Sequence, residues 1–127
     1  MQFVEIDAVM QAAGYRWNPK PDAVFDLGYW WRRIETSRPC SQNGRDQIVV
    51  ELFDMGKLVS RQVADADRYS VTAKVTGAVV LRDGLEVWCS CEAYSMPALQ
   101  FLGDRQLVEQ AIVRAWEALA EVRRVVG

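Results

Sequence analysis

The chain has 127 residues, half of them apolar and a quarter charged, with 15 basic and 17 acidic residues, a net charge of -2 and no histidine. That length supports one domain with a core that needs neither disulfides nor metal, and the composition excludes a disordered chain. The charge argues against a general duplex-DNA binder, which needs a basic footprint to displace counterions.

Residues 5–13 are expected to form a short helix, with Ile6, Val9, Met10 and Ala13 at helical spacing and Gly14 as its stop. Trp17-Asn18-Pro19-Lys20-Pro21-Asp22 is expected to break regular structure, because two prolines remove two donors. Residues 23–35 are expected to be a strand, with Phe25, Leu27, Tyr29 and Trp31 on one face and Val24, Asp26, Trp30, Arg32 and Ile34 on the other. Residues 36–46 are expected to be loop. A strand over Gln47–Phe53 follows, then a turn at Asp54-Met55-Gly56-Lys57 into another strand over 58–63.

After a short acidic connection comes the clearest alternation in the chain. Tyr69, Val71, Ala73, Val75, Gly77, Val79 and Leu81 alternate with Ser70, Thr72, Lys74 and Thr76, and Gly77 is a candidate bulge. Asp83-Gly84 marks a hairpin into a strand over Leu85–Tyr94, ended by Ser95, Met96 and Pro97. A helix over about 104–125, capped by Asp104, presents Val108, Ala111, Ile112, Ala115, Leu119 and Val122 as one apolar stripe with Trp116 beside it. The expected fold is therefore a single α+β domain over residues 1–127. It has an antiparallel sheet of about five strands, with a short N-terminal and a long C-terminal helix packed on it.

The absence of histidine removes Ser-His-Asp and Cys-His activation and His-ligated zinc, and no Gly-rich phosphate loop is present. The chain carries no catalytic signature, and no cofactor is expected. Three cysteines are too few for a zinc site without histidine. Cys89 and Cys91 point to one face of a strand, where they read as small buried residues, with neither metal nor disulfide expected. The N-terminal Met1-Gln2-Phe3-Val4-Glu5-Ile6-Asp7 lacks a basic n-region, and no apolar run reaches the ~20 residues of a membrane span. The expected location is the cytoplasm, without membrane association.

The candidate working surface is residues 16–45, centred on Trp30, Trp31, Arg32 and Arg33, with Trp17, Arg38 and Arg45 nearby. Four aromatics fall within the seven residues from Phe25 to Trp31. Arg16, Lys20, Arg32, Arg33, Arg38 and Arg45 outnumber Asp22, Asp26 and Glu35, a local excess of +3 in an acidic chain. Exposed Trp and Arg dominate protein-binding hot spots, and aromatics beside guanidinium groups also stack bases. Strand geometry sends Trp30 and Trp31 to opposite faces, so one of them is available to the core. Arg105, Arg114, Arg123 and Arg124 on the last helix read as a solvated face, with Glu121 and Arg124 an (i, i+3) pair and Arg123-Arg124 complementing the helix dipole.

The segments Arg38-Pro39-Cys40-Ser41-Gln42-Asn43, Gln47-Ile48-Val49-Val50-Glu51 and Arg114-Ala115-Trp116-Glu117-Ala118-Leu119 resemble the small accessory proteins of bacteriophages and prophages. That resemblance implies a non-enzymatic inhibitor of a host protein, anti-defence proteins among them. The order of elements resembles the class I type III secretion chaperones, which implies an acidic homodimer. That pattern carries an amphipathic helix between its third and fourth strands, and Ala64–Arg68 is too short and polar to supply it. The expected partners are thus a host protein and a second copy of the chain, with a nucleotide or single-stranded nucleic acid as the alternative ligand.

Overall fold

The structure, a computed structural model, describes residues 2–21, 24–34, 44–59 and 63–126. The chain runs α1 (Phe3–Ala12), β1 (Arg16–Pro19), β2 (Asp26–Arg33), β3 (Gln47–Asp54), α2 (Met55–Val59), a 3-10 turn (Asp65–Asp67), β4 (Tyr69–Val80), β5 (Glu86–Pro97), α3 (Ala98–Gly103) and α4 (Arg105–Val126). The five strands form one sheet in the order β1-β2-β3-β4-β5, and every neighbouring pair is antiparallel. This is the α+β architecture expected, with α1 and α4 on the same side of the sheet.

Alternation explains the sheet. Ile48, Val50 and Leu52 of β3 and Tyr69, Val71, Ala73, Val75 and Val79 of β4 point inward and are buried, while the residues alternating with them as far as Thr76 are half-exposed. Against that inner face, α4 lays Val108, Ile112, Ala115 and Leu119, and α1 lays Ile6 and Met10. Burying each large aliphatic side chain is worth about 1.5–3 kcal/mol, so sheet and helices are stable only together. The Asp104 carboxylate accepts the Leu107 backbone N–H at 3.1 Å and caps α4. The Asp83-Gly84 turn closes the β4–β5 hairpin, where Leu81 N donates to Leu85 O at 2.8 Å.

Several sequence expectations are corrected. Residues 17–19 are not a break but part of the edge strand β1, paired Trp17 to Trp30 and Pro19 to Gly28. Pro19 sits at the sheet edge, where a missing N–H costs little. In place of the turn at 54–57 and the strand from 58, Asp54 ends β3 and Met55–Val59 form α2, whose Leu58 and Val59 remain exposed; residues 60–62 lie outside the described residues. A helix thus stands between the third and fourth strands. The irregularity in β4 falls opposite β5 between Ala73 and Lys74, not at Gly77.

Gly77 has another purpose. A Cβ there would lie 2.5 Å from Asp46 Oδ1 and 2.6 Å from Arg123 Nη2. The missing side chain leaves room for a buried ion pair. Arg123 Nη2 donates to Asp46 Oδ1 at 2.7 Å and Nη1 to Oδ2 at 2.9 Å. Asp46 Oδ2 also accepts the Trp116 indole N–H at 3.1 Å, and the Ala78 carbonyl accepts from Arg123 Nε and Nη2. Arg123 is therefore not part of a solvated face, whereas Arg124 does pair with Glu121 as expected.

Asp46→Ala and Arg123→Ala should each cost about 3–5 kcal/mol, because each strands the other charge in the core. Gly77→Ala should cost about 1–3 kcal/mol by displacing the pair. Urea unfolding reads all three. A loss under about 0.5 kcal/mol for Arg123→Ala, the range of ordinary surface changes, would show that the pair carries no structural weight.

Candidate functional site

Strand parity divides the Trp/Arg segment between the two sides of the sheet. Trp30 and Arg32 point toward the helices, and Trp31 and Arg33 point to the uncovered side. Trp30 is 0% exposed, and its indole N–H donates to Asp7 Oδ1 of α1 at 2.7 Å. Its ring lies 4.6 Å from that of Trp17 and 5.9 Å from that of Phe3, while Phe3 and Trp17 are 5.0 Å apart. Trp17 and Trp30 are therefore the aromatic wedge that holds α1 on β1 and β2. Gly28 makes the wedge possible. Its φ is +135°, and a Cβ would lie 2.3 Å from Asn18 O and 2.9 Å from the Trp17 ring.

Arg32 is half-buried on the inner side, its guanidinium 5.1 Å from the centre of the Tyr15 ring. Arg33 is exposed and donates to Gly44 O at 3.1 Å. Arg45 bridges to Glu86 of β5 at 2.9 Å. Arg38 lies outside the described residues. The structure thus keeps Trp31 and Arg33 of the expected centre on an open surface and assigns Trp30 to the core.

The uncovered side is built from cross-strand rows. One row runs Arg16, Trp31, Val49, Lys74, Glu92 across β1 to β5, and a neighbouring one runs Asn18, Tyr29, Glu51, Thr72, Ser95. The Arg16 guanidinium lies 5.5 Å from the centre of the Trp31 ring. Asn18 Nδ2 donates to Tyr29 Oη at 2.6 Å, and Lys20 pairs with Asp26 at 2.7 Å. Lys74 sits between Glu51 at 2.5 Å and Glu92 at 3.8 Å. A shallow depression of about 500 Å³ is lined by Tyr29 of β2, Lys74 of β4 and Trp88 of β5. Trp88 is 56% exposed.

Trp88 was missed by sequence reasoning, although a signal was present. Cys89 and Cys91 turn inward beneath α4 as half-buried free thiols, so the residue before them must turn outward. Burial, then the neighbouring Cys89, pushes the Cys91 thiol above its ordinary value. Among the described residues no group of three or more His, Cys, Asp or Glu side chains could hold a metal ion, and no helix is long and apolar enough to cross a membrane. No protein-family model matches the chain, and neither the curated proteins nor the solved structures searched show a significant similarity to it.

Separate substitutions should distinguish the two sides. Trp30→Ala should cost about 3–5 kcal/mol, as for other buried aromatics. Arg33→Ala should stay within about 0.5 kcal/mol of the parent. Chemical denaturation measures both, and equal losses would contradict the placement of Trp30 in the core and Arg33 outside it.

Proposed function

We propose that the chain is a non-enzymatic protein-binding module that docks a partner protein on the uncovered face of its sheet. The carrying observation is the pair of outward tryptophans, Trp31 and Trp88, on a face whose middle is already charge-balanced. Protein interfaces are enriched in Trp, Tyr and Arg and depleted of unpaired charge at their centre. Lys20 and Lys74 are matched by Asp26, Glu51 and Glu92, whereas Arg16 and Arg33, toward the β1–β2 side, form no ion pair with a carboxylate among the described residues. That charge pattern fits a partner that lays apolar side chains on the tryptophans and carboxylates on the two arginines. Single-stranded nucleic acid is less well served, because its backbone needs a track of unneutralised cations.

On the resemblance of three sequence segments to phage accessory proteins, we propose a host protein as the partner, inhibition as the outcome and the host cytoplasm as its place. One observation favours a second version of the same reading, the secretion chaperone. With α2 between β3 and β4, the order is helix, three strands, helix, two strands, helices, the element order of that resemblance, although α2 is five residues long and buries none of them.

The homodimer rests on the sheet edges. β1 is four residues long and ends at Pro19, a blunted edge, while β5 is a twelve-residue edge strand. Long edges are protected or paired in natural proteins, so we propose that two copies join through β5. Light scattering should give twice the 14.4 kDa chain mass, and a mass of one chain at micromolar concentration would reject the dimer.

A pull-down from bacterial lysate supplies the candidate partner, and the affinity of variants tests the face. Trp31→Ala with Arg16→Ala should weaken binding by about 2 kcal/mol or more, roughly 30-fold, with Arg114→Ala on the wet side of α4 as an unaffected control. Full affinity in the folded double variant would reject this face. Saturable quenching of tryptophan fluorescence by single-stranded oligonucleotides at physiological salt would favour the nucleic-acid reading instead.

A further inference from the structure

On the helix side of the sheet, a pocket of about 200 Å³ opens where α1, α3 and α4 fail to meet. Its walls are apolar: Met10 from α1, Phe101 from α3, Val108 and Ile112 from α4. Its polar residues are unusual for such walls. Arg32 enters from β2, and Arg105 belongs to the first turn of α4.

Both arginines occupy electrostatically unfavourable positions. The Nε of Arg32 is buried and has no hydrogen-bond partner, and among the described residues no carboxylate forms an ion pair with this guanidinium. Tyr15 offers only its ring, 5.1 Å away, and its hydroxyl. A buried donor left unsatisfied is destabilising, more so when it is charged. Arg105 stands at the positive end of a 22-residue helix dipole, where an anion is favoured and a cation is not, and α4 has no acidic residue in its first turn. The Asp104 carboxylate caps this end through the Leu107 N–H, and among the described residues it forms no ion pair with Arg105. Glu109, the only carboxylate among the described lining residues, already has interactions of its own.

Two guanidiniums that form no ion pair with a carboxylate among the described residues, and a helix N-terminus, thus converge on one largely apolar cavity. We infer that this pocket binds a small amphipathic monocarboxylate, its carboxylate on Arg32 and Arg105 and its apolar body between Met10, Phe101, Val108 and Ile112. A carboxylate supplies the acceptor that Arg32 Nε lacks and a counter-ion for Arg105 at the start of α4. The apolar walls require the body, which distinguishes this ligand from inorganic phosphate. The cavity is small for a ligand site, so a body of fewer than about ten carbons fits. This site lies across the sheet from the proposed protein-docking face and stands independently of it.

Octanoate is the probe, with octanol as the uncharged match and inorganic phosphate as the match without a body. Titration of the full chain followed by amide NMR should show saturable octanoate binding in the millimolar range or tighter. The shifts should centre on Met10, Phe101 and Val108. Octanol and phosphate should each bind roughly tenfold more weakly, the worth of a charged hydrogen bond or of the buried body. Arg105→Gln, an exposed change, should weaken octanoate several-fold without altering the melting temperature. Arg32→Met should weaken it roughly tenfold while holding or raising the melting temperature of the free protein, because it removes an unsatisfied buried donor. Should Arg32→Met fail to fold, Arg32→Lys serves instead, since it keeps the charge, lacks Nε and should also weaken octanoate. Equal binding of octanol, tighter binding of phosphate, shifts centred on the open sheet face, or parent-like octanoate affinity in both arginine variants would each overturn the proposal.

Discussion

The placement of α4 depends on one buried carboxylate. Asp46 is fully buried at the entrance to β3, and the C-terminal helix reaches it twice, through Trp116 and through Arg123. Hydrophobic burial alone is nearly indifferent to small rotations and slides of a helix over a sheet. A bidentate Arg–Asp pair is not, because its fork fixes direction as well as distance. Arg123 also donates to the carbonyl of Ala78, so the same guanidinium locks α4 to β4. Gly77 is the concession the sheet makes to this network, a strand interior position without a side chain in an otherwise apolar alternation.

With α4 held at the β4–β5 side and α1 wedged by Trp17 and Trp30 at the β1–β2 side, the two helices cannot close on each other. The gap between them is where Arg32 lies. The opposite side of the sheet has no helix among the described residues, and its polar rows satisfy one another through Lys74, Glu51, Thr72, Ser95, Thr76 and Ser90. The molecule thus offers two surfaces of unlike chemistry: a broad, neutralised one carrying tryptophan, and a narrow, apolar one into which guanidiniums project.

How far this was legible in the sequence follows from the range of each interaction. Periodicities of 2 and 3.6 residues are local, and they identified β3, β4, β5, α1 and α4. The count of five strands was right through two compensating differences. Leu58-Val59 after the Gly56 turn signal reads as the start of a strand over 58–63, because the five-residue α2 is too short to show a helical period. β1 reads as a break because Pro19 and Pro21 disrupt strands except at an edge, and edges are a property of the finished sheet. The Trp/Arg cluster was visible as composition, but parity splits it, so adjacency in sequence became opposition in space. The ion pair was the least legible element, since 77 residues separate its partners. A hint existed: Arg123 continues the spacing of Ile112, Trp116 and Leu119 along the buried stripe of α4, a cation where periodicity asks for an apolar residue.

The unequal lengths of the two outer strands bear on how copies of this chain can accumulate. A sheet with two open edges is a monomer for polymerisation, since each addition leaves a fresh template behind. Here the edge at β1 is four residues long and ends in a proline that has no N–H to offer, so growth on that side has almost no ladder to extend. Joining two copies through β5 would consume both long edges and leave only β1 at either end. Strand pairing would then be self-terminating, and the geometry that invites one copy to associate would deny entry to a third.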